Sequence, residues 1–192
     1  MDAEPRARWT ATLVDWLTWS QDAILDALAH SDPEVIRTRP GGTAPSVGFH
    51  AWHIGRWADR HQAALPGWLD FGPDAPEIWV ADRLAAQWGF AGIGLGRYGG
   101  IGAGLDDVAS AALPLPGPDV ITRYVERSFG ALITGLRRID DDALLERTVV
   151  DLRGESGPFS EVLLGLLSHT DRHLGMIEAT RGMLGERGTA TE

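Results

Sequence analysis

Apolar residues recur along this chain at the three-to-four spacing of α-helices, and no strand-like alternation of any length interrupts them. Trp9, Leu13, Trp16, Leu17, Ile24 and Leu28 line one face of a first long segment, expected over residues 4–28, and Ser31-Asp-Pro33 ends it. A second long helix should start near Ser46, after the Pro40-Gly-Gly turn, and stop before Pro66-Gly67. Residues 77–88 read as a shorter helix. Pro116-Gly117-Pro118 then opens a third long one, because proline costs little at a first helical position. Its apolar face is Ile121, Tyr124, Val125, Leu132, Leu136 and Ile139; Arg137-Arg138 suit the negative end of the dipole, and Asp140-Asp141-Asp142 closes it. After an irregular stretch through Gly154 and Gly157, residues 160–184 form the fourth, stopped by Gly185. Four long amphipathic helices predict an all-α fold, an antiparallel four-helix bundle, and 192 residues suit one domain spanning 1–192.

Residues 89–104, between the second and third long helices, are half glycine and predict a flexible loop or a lid over the bundle, with Arg97 and Tyr98 placed to meet a substrate. Gly94-Leu-Gly96-Arg-Tyr-Gly99 matches the dinucleotide pattern GxGxxG, but such a site needs a strand before it and a helix after it. Half-glycine sequence produces that match unaided.

The fourth helix carries the candidate chemistry. Val162, Leu166, His169, His173, Met176 and Met183 fall at spacings of three, four and seven, the expected inward stripe. His169 and His173 thus occupy seats where apolar side chains belong, one turn apart on one face, and can close on a single metal ion. A buried imidazole without a partner forfeits about 1–3 kcal/mol of hydration. A further ligand is available on the second helix, where His50 and His53 share a face; His61 lies two turns beyond, too far along the axis to share their ion. His30 reads as a solvated helix-end residue and Asp171 as surface charge. Threonine follows His169 where a zinc peptidase would carry glutamate, which argues against peptidase chemistry. Eight tryptophans fall between Trp9 and Trp88; Trp9, Trp16 and Trp57 are expected in the core.

Composition narrows the chemistry. The net charge of −10, with all 17 basic residues arginine, argues against a nucleic-acid partner. Cysteine is absent, so a metal must be held by nitrogen and oxygen, and any thiol must come from outside. No apolar run approaches a membrane span and no leader-like segment follows Met1, so a cytoplasmic protein is expected.

Ser46-Val-Gly-Phe-His-Ala-Trp-His53-Ile-Gly-Arg-Trp-Ala-Asp-Arg resembles the second helix of the DinB-like superfamily, which carries the first metal-ligating histidine. His169-Thr-Asp-Arg-His173-Leu-Gly-Met-Ile-Glu-Ala-Thr-Arg-Gly resembles its last helix, an HxxxH pair followed by an arginine-glycine end. The resemblance implies an antiparallel four-helix bundle with a three-histidine metal site, often a homodimer. Relatives include mycothiol-dependent maleylpyruvate isomerase and transferases that use mycothiol or bacillithiol. By position His53, His169 and His173 carry over as ligands of a divalent ion (Zn, Ni, Fe or Mn), with His50 in an alternate place. The implied function is that of a metal-dependent thiol S-transferase or isomerase, taking an external low-molecular-weight thiol and an electrophile. The same scaffold suits a non-catalytic metal-binding stress or sensor protein. Arg56 or Arg97 is expected to hold a carboxylate of the cosubstrate. Many relatives have glutamine three residues after the last histidine, where this chain has Met176, so a hydrogen-bonding partner for the ligands is expected to be missing.

Overall fold

A computed structural model describes residues 9–188. The expected helix start at residues 4–8 and the N-terminal leader reading lie outside them. Four long helices carry the fold: α1 (Trp9–His30), α3 (Val47–Trp68), α8 (Pro118–Leu136) and α10 (Phe159–Met183). Short elements join them. These are α2 (Pro33–Arg37), α4 (Ile78–Ala81), α5 (Leu84–Gln87), α6 (Arg97–Gly100), α7 (Asp107–Ala111) and α9 (Asp141–Glu146). A hairpin of β1 (Thr148–Val150) and β2 (Ser156–Pro158) precedes α10, in the stretch expected to be irregular. The shorter helix expected over 77–88 is two turns, broken where Arg83 takes φ +54°. The aspartate run does not end α8: Asp140 caps α9, its carboxylate accepting from Ala143 N at 2.8 Å. Nor does Pro66 end α3, which runs on to Trp68.

Each long helix packs on two neighbours, in the cyclic order α1, α8, α3, α10. Contacts along the seams fix the directions. Gly48 meets Ile121, Gly55 meets Val125 and Gly135 meets Leu65, so α3 and α8 run the same way. Ser20 bonds Asp171 and Ser31 bonds Glu186, so α1 and α10 also run together. His50 meets His173 while Trp68 meets Phe159, so α3 and α10 are opposed. The bundle therefore reads up, down, down, up. Gly55 makes the α3–α8 approach possible: a Cβ there would sit 3.1 Å from Val125 Cγ2.

Parallel neighbours have a topological consequence. After Trp68 the chain must return the length of α3, roughly 30 Å for 22 residues, before α8 can begin. It does so along the side of α3, residue against residue. The N–H groups of Ile78 and Trp79 bond Asp59, the carbonyls of Gly99 and Gly100 accept from Arg56, and the carbonyl of Ile101 meets His53. Phe90 and Ile101 are fully buried beneath this strap. Gly102 is required in it: φ is +87°, and a Cβ would lie 2.7 Å from Trp52 Cζ3.

The inward faces of the four helices form one apolar core around Leu17, Ile24, Ile54, Val125, Leu132 and Ile177. Two expectations about those faces are corrected. Trp9 and Trp16 are each 58% exposed, because Thr10, Val14, Leu17, Ser20, Gln21 and Ile24 turn inward instead. On α10 the buried stripe is Leu163, Leu166, Thr170, His173, Ile177 and Thr180; Met176 and Met183 face outward. Among the described residues no helix is long and apolar enough to cross a membrane.

Candidate metal centre

Helix α3 begins at Ser46, whose hydroxyl accepts from Phe49 N at 3.2 Å. That start sets the register that turns His50, His53 and Trp57 toward α10. Halfway along the opposed α10, His169 and His173 come to the same level. The Nε2 atoms of His53 and His169 are 3.4 Å apart, and those of His169 and His173 are 3.1 Å apart. One ring nitrogen from each of the three lies within 4.8 Å of the others, a group able to hold a metal ion.

The protons on these rings follow from their outer partners. His53 Nδ1 lies 2.5 Å from the carbonyl oxygen of Ile101. A carbonyl only accepts, so Nδ1 donates and Nε2 is left bare toward the other two rings. On the far side of His173, its Nδ1 sits 3.0 Å from His50 Nδ1, and one proton joins the pair. His50, the alternate ligand of the sequence reading, thus stands behind His173 and outside the three-nitrogen group. It also supplies the hydrogen-bonding partner that the methionine at 176 was expected to remove. Met176 is 41% exposed and turned away from the site.

Burial keeps the cluster neutral. It lowers the His50 and His169 pKa values to about 4 and that of His173 to about 2, each ring being further disfavoured as a cation by its histidine neighbours. His53 is lowered as well, by burial against the partly offsetting bond to Ile101. Ring nitrogens this close repel one another wherever neither carries a proton, and a cation among them relieves that repulsion. Since burial resists the proton, a metal ion fits this donor set, and imidazole is a common ligand for several divalent ions.

Two sides of the centre differ. On one, the strap closes over His53, tied by a network around Arg56, which is 1% exposed. Its guanidinium donates to Glu77 at 2.8 Å, Asp59 at 3.2 Å and the carbonyls of Gly99 and Gly100. Arg56 is therefore committed to the fold and does not wait for a cosubstrate carboxylate. Arg97, also expected at an opening, stacks over the ring of Tyr98.

On the other side a cleft of about 330 Å³ opens on His169, between the ends of α3 and α10 and the β-hairpin. Trp57, expected in the core, is half-buried in its wall, edge-on to His169 with centroids 5.3 Å apart. His61, too distant to reach the three-nitrogen group, also lines this wall at 5% exposure. Its Nδ1 donates to Trp57 O at 2.8 Å, leaving Nε2 as an acceptor, and burial lowers its pKa to about 4. The sequence held one hint of this: His61 falls on the same side of α3 as His53, two turns on. His30 is solvated and paired with Asp26, as read from its place at the end of α1. Asp171 is exposed and accepts from Ser20 at 2.5 Å.

Comparisons with known proteins agree with this architecture. A family profile described as the DinB superfamily matches residues 17–177. Among solved structures, a conserved protein from Enterococcus faecalis superposes with a TM-score of 0.72 over 92% of this chain and 96% of that one. The two share 16% sequence identity, so the likeness is one of fold. The search of curated proteins gave no match.

Proposed function

Because the chain belongs to the DinB superfamily, we propose that it binds a divalent metal ion through His53, His169 and His173 and works as a metal-dependent thiol S-transferase or isomerase. The observation that carries this reading is the convergence of one ring nitrogen from each of the three histidines beside a cleft that opens on His169. Three protein nitrogens leave a coordination position for something else, the pattern of reactive rather than structural sites. When bound, the ion supplies positive charge that favours the thiolate form of an external thiol.

The protein's own groups prepare that chemistry. The Ile101 carbonyl fixes the tautomer of His53, aiming its Nε2 lone pair inward, and His50 holds the ring of His173 in place. The strap excludes water from the His53 side, so a small molecule enters past Trp57 and His169. His61 offers Nε2 to a hydrogen-bond donor on that molecule. The chain has no cysteine to compete with the incoming thiol.

Elemental analysis of the purified protein is expected to find one divalent ion per chain, and His173→Ala to abolish its uptake. Metal-loaded protein should consume mycothiol or bacillithiol in the presence of an electrophile from a panel of epoxides, maleyl compounds and alkyl halides. Metal uptake without thiol consumption under any metal would overturn the transferase reading and leave a metal-binding protein without turnover. No metal, with stability indifferent to chelator, would overturn both.

A further inference from the structure

The floor of the cleft is one stripe of α10, Glu161, Gly165, Ser168 and Arg172, at spacings of four, three and four. Gly165 leaves the middle bare, since a Cβ there would meet nothing within 4 Å. Arg172 stands at the end nearest the centre, and its charge bears on both His169 and His173. Other arginines around the site are matched: Arg56 and Arg60 by Glu77, and Arg153 by Asp151 and Glu155. Arg172 forms no ion pair among the described residues. Opposite it, His61 presents a ring nitrogen that can only accept.

We propose that this cleft binds a small thiol carrying a carboxylate and an N–H donor, the carboxylate held by Arg172 and the N–H by His61 Nε2. Charge balance gives the reason. Three neutral imidazoles contribute no negative charge against a dication, and Arg172 adds one more positive charge within the same field. A ligand that is both thiolate and carboxylate offsets this excess, and its carboxylate gains a charge-assisted hydrogen bond from Arg172 that a neutral thiol lacks. Gly165 gives the ligand's backbone a surface to lie on. The inference rests on the thiol reading for the sulfur and stands on Arg172 and His61 for the remainder.

Two probes differing only in the carboxylate, N-acetylcysteine and N-acetylcysteamine, test it on the full chain loaded with cobalt(II). Thiolate binding is read from the cobalt charge-transfer absorption. N-acetylcysteine should bind about tenfold more tightly, the size of a charge-assisted hydrogen bond in a partly enclosed site. Arg172→Gln, on an exposed helix position, should erase that preference by lowering N-acetylcysteine affinity more than N-acetylcysteamine affinity, with the unfolding midpoint held. His61→Asn should weaken both probes alike. Equal affinities in the parent protein, or a preference that survives Arg172→Gln, would overturn the proposal. If neither thiol alters the cobalt spectrum, the thiol reading fails by itself. Calorimetry with N-acetylglycine then decides the subsite: binding lost in Arg172→Gln supports it, and no binding to the parent protein overturns it.

Discussion

The strap side and the cleft side of the three-histidine group are built on opposite principles. On the strap side the buried charges are matched: Asp59, fully buried, accepts from the Ile78 and Trp79 N–H groups, Tyr124 and Arg56, and Arg56 in turn holds Glu77 and two strap carbonyls. On the cleft side polar groups are left with capacity to spare, at His61 Nε2 and the Arg172 guanidinium. A satisfied network fixes geometry, and an unsatisfied one at a cavity wall awaits a ligand. The glycine-rich segment, for all its resemblance to a mobile cover, contributes the carbonyl that orients His53.

The sharpest way to break this contrast is to remove Asp59. Asp59→Ala leaves the Arg56 cation buried with its remaining partners and strands two backbone donors at the start of α4. Removing one member of a buried ion pair costs about 3–5 kcal/mol, and the expected outcome is a loss of that order in urea unfolding, with weakened metal retention as residues 99–101 loosen. Glu161→Ala, on the cleft floor, should change stability by no more than about 0.5 kcal/mol. Similar losses for the two substitutions would mean that the strap network does not hold the fold together.

Much of the framework was legible because helix periodicity, proline and capping residues act locally. Ser46 and Pro118 mark two helix starts within a residue, and the spacing of His169 and His173 placed them on one face. What local pattern did not carry is rotation and direction. On α10 the apolar residues are spread over adjoining seams, so a stripe through Val162, His169 and Met176 and one through Leu163, Thr170 and Ile177 look alike until a neighbouring helix selects the second. On α1 the large tryptophans were expected inside, yet Ser20 and Gln21 turn inward and Ser20 reaches across to Asp171. The strap was illegible for a different reason. Its backbone hydrogen bonds go to side chains of α3 some twenty to fifty residues away, and a glycine-rich segment shows no periodicity that reveals such anchoring.

A smaller effect sharpens the cleft side through pH. His61 stays neutral in the folded protein down to about pH 4, whereas in the unfolded chain it takes a proton below its ordinary value near 6.5. Below 6.5 the unfolded state binds the extra proton, so stability is full above that pH, falls as the pH drops toward 4, and falls no further below it. Between pH 7.5 and 5.0 the share due to His61 is about 2 kcal/mol. Unfolding of the metal-free protein at pH 7.5 and 5.0 should show a combined loss from the buried histidines, and His61→Asn should remove about that share of the pH dependence. An unchanged dependence in the variant would place the His61 ring in solvent and out of the cleft wall.

The least effect is expected where family likeness raised the most doubt. Methionine occupies the place of a glutamine that would hydrogen-bond near the ligands, yet its side chain is 41% exposed on the outer face of α10. The partner that orients His173 comes from α3 instead, through His50 Nδ1 at 3.0 Å. Met176→Gln should therefore leave stability within about 0.5 kcal/mol of the parent, as for most surface substitutions, and leave metal affinity unchanged in a competition titration with a chelator. His50→Phe, which keeps a ring of similar reach but removes the nitrogen, should lower that affinity by about 10- to 100-fold, the usual consequence of losing a ligand's outer hydrogen bond. A gain in affinity from Met176→Gln, with none lost in His50→Phe, would reverse the assignment and put the orienting contact back on α10.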